Sequence, residues 1–199
     1  MRVIAGKFRS RTLKALPGLA TRPTYDRLKE TLFNVLGGLQ GEVFVDLFAG
    51  TGSIGIEALS RGAAQVYFVE SSQKAARIIR ENLDALKVVE GFEILPLPAA
   101  QALRQLAARK LRCRCCFLDP PYRMQGAYQQ VLRLLAASSL LADGGIVVAE
   151  HDKHFDPGNG IAALRRYRTL QQGESALSFY ALRGTGLPLE ETQPPDQQS

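Results

Sequence analysis

The feature that most constrains the fold is a repeated alternation of short strand-like runs and longer helical runs, beginning at Val43. Alternation of this kind is typical of an α/β fold with a mostly parallel central sheet and helices on both faces. Apolar residues recur at helical spacing in four segments, which predicts helices near 54–61, 72–87, 99–109 and 126–137. The predicted strands are Val43–Leu47, Gln65–Val69, Phe92–Leu95, Cys113–Leu118 and Ile146–Ala149, followed by the hairpin pair Leu164–Leu170 and Leu177–Leu182, which predicts an antiparallel C-terminal strand.

Three segments follow from this pattern. Residues 1–38 are expected to form a basic N-terminal arm, with a hairpin near its start, and a helix that begins at Pro23-Thr24, stops at Gly37-Gly38 and packs on the core. Residues 39–184 form the α/β domain. Residues 185–199 contain three prolines and an acidic excess, so we expect a disordered acidic tail.

Composition excludes several classes of protein. The chain has 199 residues, 46% of them apolar, which suits one domain with small additions. Charged residues interrupt the first apolar stretch, and no later stretch approaches the roughly 18 apolar residues of a spanning helix. We therefore expect a cytoplasmic protein rather than a secreted or membrane protein. We also expect no membrane partner.

The positive charge is concentrated at one end. The whole chain carries a formal charge of +6, and residues 1–30 alone hold eight Lys or Arg against Asp26 and Glu30. A basic arm would attract nucleic acid, whereas the alternative is an ordinary solvated surface, and charge alone does not decide between them. The candidate RNA contacts are Arg2, Lys7, Arg9, Arg11, Arg22 and Arg27, together with Arg123 farther along.

A glycine-rich turn joins the first predicted strand to the next helix. Gly50 and Gly52 can adopt backbone angles closed to other residues, and the helix that follows presents unpaired amides. Glu70 ends the next strand, twenty residues past Gly50, where a carboxylate can accept hydrogen bonds from two ribose hydroxyls. This arrangement predicts a nucleoside-containing cofactor, and either a nicotinamide dinucleotide or S-adenosylmethionine fits it.

The tetrapeptide Asp119-Pro120-Pro121-Tyr122 follows the fourth predicted strand. Two prolines stiffen the turn, which allows the Asp119 carboxylate and the Pro120 carbonyl to act as neighbouring acceptors. An NH2 group with two donors is their natural partner, and Tyr122 offers a face on which a base can stack. These three residues predict methylation of the exocyclic amine of a nucleobase, a reaction that depends on positioning more than on a strong base.

The chain resembles the RsmD family of bacterial small-subunit ribosomal RNA guanine-N2 methyltransferases, which are class I enzymes with a Rossmann-like fold. The resemblance runs from residue 2 to about 183 and rests on five blocks: Arg2–Arg9, Thr21–Arg27 with Leu32-Phe33-Asn34, Asp46–Gly52, Gly55–Gly62 and Asp119–Tyr122. It implies S-adenosylmethionine as methyl donor, no metal, and small-subunit ribosomal RNA as partner, alone or within an assembling subunit. The implied cofactor residues are Asp46, Phe48, Gly50, Thr51, Gly52 and Glu70.

Three other functions remain compatible with parts of the sequence. DNA adenine methyltransferases share the Asp-Pro-Pro-Tyr motif, and only the resemblance argues against them. A nicotinamide-dependent oxidoreductase shares the glycine turn and Glu70 but has no use for that motif. A non-catalytic RNA-binding protein would keep the basic arm without needing an intact cofactor turn.

The sequence departs from the family pattern at two places. Leu97-Pro98-Ala99-Ala100 stands where an adenine-binding Asp or Asn is common, so no side chain is assigned to the adenine ring. Cys113, Cys115 and Cys116 replace residues that are usually aspartate and aliphatic. Strand alternation predicts Cys113 and Cys115 on one face and Cys116 on the other, as buried thiols rather than metal ligands.

Overall fold

A computed structural model describes residues 1–15, 23–121 and 123–184, except for the side chains of Pro23 and Thr24. Five helices lie in these ranges: α1 Pro23–Leu36, α2 Ser53–Ser60, α3 Gln73–Ala85, α4 Ala99–Ala108 and α5 Gly126–Ala136. The strands of the same ranges are β1 Val43–Asp46, β2 Gln65–Val69, β3 Phe92–Leu95, β4 Cys113–Leu118, β5 Leu141–Asp152, β6 Gly160–Ile161, β7 Leu164–Gln172 and β8 Ser175–Leu182. The predicted tail at 185–199 lies outside the described residues.

One sheet contains all of these strands, in the order β3-β2-β1-β4-β5-β8-β7-β6. The first five strands pair in parallel, and β8 adds to β5 in the antiparallel direction. The predicted fold class, a mostly parallel sheet with an antiparallel C-terminal strand, is therefore confirmed. The strand β6 was not predicted, because two residues give no periodic signal.

Alternating side chains of the strands build two separate apolar layers. Phe44 of β1 packs with α1, α2 and α3 on one face, whereas its neighbour Val45 packs with α4 and α5 on the other. Helices therefore cover both faces of the sheet, as a doubly wound fold requires. No helix within the described ranges is long and apolar enough to cross a membrane.

The predicted orientation of Cys113 is wrong, whereas Cys115 and Cys116 lie on opposite faces as predicted. A register irregularity lies between Cys113 and Cys115, where β4 pairs with β5. Because the irregularity interrupts the alternation, Cys113 joins Cys116 on the α4 and α5 face, with their sulfur atoms 3.4 Å apart, and Cys115 lies on the opposite face. All three are buried free thiols, and burial raises the pKa of Cys115.

The N-terminal arm packs against α2 through its backbone. Residues 1–13 fold back on themselves, with an antiparallel bridge between Arg2 and Thr12. The amides of Ile4 and Ala5 donate to the two carboxylate oxygens of Glu57, at 2.7 and 3.0 Å. Ser60, one turn later, accepts from the Phe8 amide through its hydroxyl and from the Lys7 amide through its carbonyl.

The carboxylate of Glu57 is fully buried and carries the charge on which this packing depends. Lys29 of α1, also buried, lies 3.7 Å from one of its oxygens, and the Arg61 guanidinium donates to the other at 2.8 Å. Burial lowers the pKa of Lys29, and Glu57 opposes that shift. A buried charge is tolerated only where such partners compensate for its lost hydration.

Replacing Glu57 with alanine should destabilise the fold strongly, because it leaves the buried Lys29 ammonium without a counter-charge and the amides of Ile4 and Ala5 without their acceptor. We expect a loss of about 3–5 kcal/mol in the free energy of unfolding, measured by urea denaturation. Glu81→Ala is the matched control, since its ion pair with Lys14 is exposed and should contribute less than about 1 kcal/mol. Equal losses in the two variants would contradict the assigned role of Glu57.

Candidate active site

Four carboxylic side chains lie on one face of the sheet at the carboxyl ends of adjacent strands. Each follows by two positions a core residue of the face that carries α1 and α2, and strand alternation therefore places it on that same face. The pairs are Phe44 and Asp46 on β1, Phe68 on β2 with Glu70 directly after that strand, Phe117 on β4 with Asp119 directly after it, and Val148 and Glu150 on β5. This edge is where an open α/β sheet binds its ligands.

The glycine turn between β1 and α2 leaves its backbone open to a ligand. Gly50 and Gly52 have φ angles of 54° and 83°, in the region that favours glycine. A Cβ added at Gly50 would meet nothing within 4 Å, which means that the space above this residue is free. Thr51 between them is buried, and Phe48 just before the turn is half-buried against the opposite layer.

Glu70, directly after the neighbouring strand β2, binds the backbone of the turn through its carboxylate. One of its carboxylate oxygens accepts from the Gly50 amide at 2.8 Å, and the other accepts from the Ser72 amide at 2.7 Å. Each oxygen has a second lone pair that can accept from a hydroxyl. The predicted ribose-binding carboxylate thus lies directly beside the glycine turn.

Asp46 lies beneath the turn and is 1% exposed. Its carboxyl oxygen accepts from the Gly55 amide at 3.0 Å, which ties the first turn of α2 to the end of β1. Burial raises the pKa of Asp46 to about 7, and the neighbouring Asp119 and Glu70 act in the same direction. In this structure Asp46 supports the turn from below.

Asp119 follows β4 and lies two residues past Phe117, the residue that pairs with Asp46 on the neighbouring strand. Its side chain is half-buried, Pro120 is buried, and burial raises the pKa of Asp119 to about 7. The predicted stacking residue, Tyr122, lies outside the described residues, and Arg123 just after it is exposed.

Two further residues at this edge were not predicted from the sequence. Glu150 on β5 is 8% exposed, and burial, reinforced by Asp119, raises its pKa well above the usual range. The Tyr25 hydroxyl, on α1, lies near enough to Glu150, Asp119 and Asp46 for these carboxyl groups to raise its pKa in addition to the effect of burial. The sequence signal that could have identified Glu150 is a carboxylate at the end of an apolar strand run, Val147-Val148-Ala149-Glu150.

The arm and the glycine turn are joined through two buried side chains, although they are distant in sequence. The Lys29 ammonium donates to the Arg2 carbonyl at 2.6 Å and to the Ser53 hydroxyl at 3.1 Å. Asn82 of α3 donates to the Lys14 and Thr51 carbonyls at 3.1 and 3.0 Å. Through these side chains, Arg2 is connected to the first residue of α2 and Lys14 to Thr51 in the turn.

The basic residues differ in their availability. Lys7 and Arg9 are exposed, and so is Arg27 on α1. Arg2 is exposed but pairs with Asp26 at 3.1 Å, and the Arg11 guanidinium donates to a backbone carbonyl of α3. Arg22 lies outside the described residues. Lys29, counted in the basic excess of the arm, is buried with Glu57 and cannot reach a polyanion.

Comparison with known proteins supports the resemblance. The model of the family described as "Conserved hypothetical protein 95" matches residues 1–181. The ribosomal RNA small subunit methyltransferase D of Haemophilus influenzae is 36% identical over 155 residues, which cover 77% of this chain and 79% of that protein. YlbH of Bacillus subtilis is 38% identical over 185 residues, covering 92% of this chain and 100% of that protein.

Solved structures agree with the fold. The structure of yhhF from Escherichia coli has a TM-score of 0.76 at 30% identity and covers 90% of this chain and 96% of that chain. The Thermus thermophilus 16S rRNA N2 G1207 methyltransferase RsmC, solved with AdoMet and guanosine, has a TM-score of 0.66 at 22% identity and covers 84% of this chain and 45% of that chain. With its family model matched along nearly the whole described length, the chain belongs to the RsmD family of class I methyltransferases.

Proposed function

We propose that the protein transfers a methyl group from S-adenosylmethionine to the N2 amine of a guanine in small-subunit ribosomal RNA. The observation that carries this proposal is the position of Asp119-Pro120 on the sheet edge beside the glycine turn and Glu70. A methyl donor bound by the turn would then lie next to an amine bound by Asp119. The names of the relatives support ribosomal RNA as the substrate class.

The geometry of the glycine turn and of Glu70 fits S-adenosylmethionine. Gly50 leaves room for a ligand against the backbone, and Glu70 can accept from the two ribose hydroxyls beside it. Phe48, Thr51 and Gly52 would line the same pocket, with Asp46 supporting it from below. S-adenosylmethionine supplies an electrophilic methyl group when bound, and these residues orient it.

Asp119 and Pro120 would orient the amine. The nitrogen of an exocyclic amine is a poor nucleophile because its lone pair is delocalised into the ring, and two acceptors that bind its hydrogens can turn that lone pair toward the methyl group. The nitrogen gives up one proton as it gains the methyl group. A carboxylate with a pKa of about 7 can accept that proton near neutral pH. Tyr122 would stack on the base.

The exposed basic residues of the arm would contact the RNA backbone, with Arg22, Arg27 and Arg123 extending the surface. The substrate is then free ribosomal RNA or an assembling subunit, which places the reaction in the cytoplasm. Labelled S-adenosylmethionine incubated with unmodified small-subunit particles, naked ribosomal RNA and DNA, followed by nucleoside analysis, tests the proposal. Labelled N2-methylguanosine from RNA supports it, and labelled N6-methyladenine from DNA alone overturns it.

Glu70→Ala should weaken S-adenosylmethionine binding, because two hydroxyls lose a charged acceptor, with each bond contributing roughly 1.5–3 kcal/mol. Isothermal titration calorimetry measures the change. Glu93→Ala is the control, since Glu93 lies on the neighbouring strand β3 and forms its ion pair with Arg109, just after α4. Unchanged affinity in the Glu70 variant would remove this residue from the site.

Asp119→Ala should lower the single-turnover rate on the order of a hundredfold while cofactor affinity changes little, because the lost contact acts mainly in the transition state. Wild-type rates should rise as the pH increases through about 7, where the carboxyl of Asp119 ionises and can accept the proton of the amine. Asp119→Asn keeps an acceptor oxygen but cannot ionise, so it should retain more activity and lose this rise. Near-normal turnover in the alanine variant would exclude the role.

Replacing Arg2, Lys7, Arg9 and Arg11 with alanine should reduce the dependence of RNA affinity on salt. Each phosphate contact contributes roughly 0.7–0.9 to the slope of log affinity against log salt, so the slope should fall by at most about three to four units. The control replaces four exposed basic residues in α4 and in the segment that follows it: Arg104, Arg109, Lys110 and Arg112. An equal fall in both variants would assign the effect to net charge rather than to the arm.

A further inference from the structure

Glu150 is a buried carboxyl group that the proposed function leaves without a role. Leu118 of β4 pairs with Ala149 of β5, so Asp119 and Glu150 are the next residues on the two neighbouring strands. Both lie on the face that carries α1 and α2, and they are close enough for Asp119 to perturb Glu150 electrostatically. The Tyr128 hydroxyl donates to the Glu150 carbonyl at 2.7 Å and fixes the backbone here.

A second acceptor beside Asp119 suits one nucleobase. Adenine, cytosine and guanine all carry an exocyclic amine, but the ring nitrogen next to that amine differs. It is an unprotonated acceptor at N1 of adenine and N3 of cytosine, whereas guanine has a donor, N1–H, beside its N2 amine. Two neighbouring carboxyl groups can therefore accept from two neighbouring donors only when the base is guanine.

We propose that Glu150 determines specificity for guanine by accepting a hydrogen bond from N1–H while Asp119 accepts one from the N2 amine. The proposal rests on the proposed function and names the residue that selects its substrate base. An ionised Glu150 has acceptor oxygens only, and a hydrogen bond donated by N1–H favours this ionised form of the buried carboxyl group. In adenine or cytosine, by contrast, the unprotonated ring nitrogen is itself an acceptor. It would face a carboxylate oxygen of Glu150 with no hydrogen between them.

The surroundings of Glu150 keep its carboxyl group in place. The Ser175 side chain on β8 lies close enough to lower the pKa of Glu150 against the effect of burial, and the Tyr25 hydroxyl on α1 lies close enough to interact with Glu150 electrostatically. Because β5 lies between β4 and β8 in the sheet, its backbone is paired on both sides. A rigid, partly desolvated acceptor discriminates between donors and acceptors more strongly than an exposed one, since an unsatisfied buried partner is costly.

The test compares guanosine with 2-aminopurine at the position found to be methylated, in small-subunit RNA ligated from a synthetic segment. 2-Aminopurine has the same amine at C2, but its N1 carries no hydrogen. Wild-type enzyme should methylate guanosine at least about tenfold faster in single turnover, the effect of one hydrogen bond to a charged group. Glu150→Gln, whose amide can donate to N1 or accept from N1–H, should reduce this preference to within about threefold.

Glu174→Gln, an exposed carboxylate near the same end of β8, is the matched control and should keep the wild-type preference. Cofactor affinity and melting temperature verify that each variant is folded, and the wild-type comparison does not depend on any variant. Equal wild-type rates on the two bases, an unchanged preference in Glu150→Gln, or an equal loss on both bases in that variant would overturn the role of Glu150. Absence of N2 methylation on the guanosine RNA itself would instead overturn the proposed function.

Discussion

The packing of the arm, α1 and α2 depends on the hydrogen bonds and ion pairs of one buried carboxylate, that of Glu57. It accepts from two arm amides, lies beside the Lys29 ammonium, and accepts from the Arg61 guanidinium. The arm, α1 and α2 are therefore joined at one charged centre rather than by apolar contact alone. Because each partner is needed to compensate the others for lost hydration, the centre forms only when all three elements are in place.

This centre has a consequence for the site. Lys29 binds both the Arg2 carbonyl and the Ser53 hydroxyl, and Asn82 binds both the Lys14 and the Thr51 carbonyls. The arm that carries the exposed basic residues is thereby connected by hydrogen bonds to Thr51 in the glycine turn and to Ser53 at the start of α2. Deleting the arm would thus remove polar partners of the turn as well as basic charge, and side-chain substitutions separate these effects more cleanly.

The other half of the site depends on the sheet. Parallel strands bring Asp46, Asp119 and Glu150 to one edge and one face, where burial raises the pKa of each. Grouping buried acids is unfavourable for stability because their ionised forms repel each other in a medium of low polarity. Perturbed carboxyl groups of this kind concentrate at functional sites, where they serve as acceptors for a polar ligand.

The sequence by itself determined the fold class, the glycine turn and the Asp-Pro-Pro turn, because these depend on local patterns: periodic apolar residues, glycine at positive φ, and proline after a strand. Most predicted elements end within one or two residues of the observed ones, although β5 begins at Leu141 rather than Ile146. Only the tertiary structure decided the orientation of Cys113, since the register irregularity arises from how β4 and β5 pair. Likewise, only packing decided the contacts of Lys29, Asn82 and Glu150. The elements around each of these residues come from distant parts of the chain, and no local sequence pattern encodes which elements come into contact.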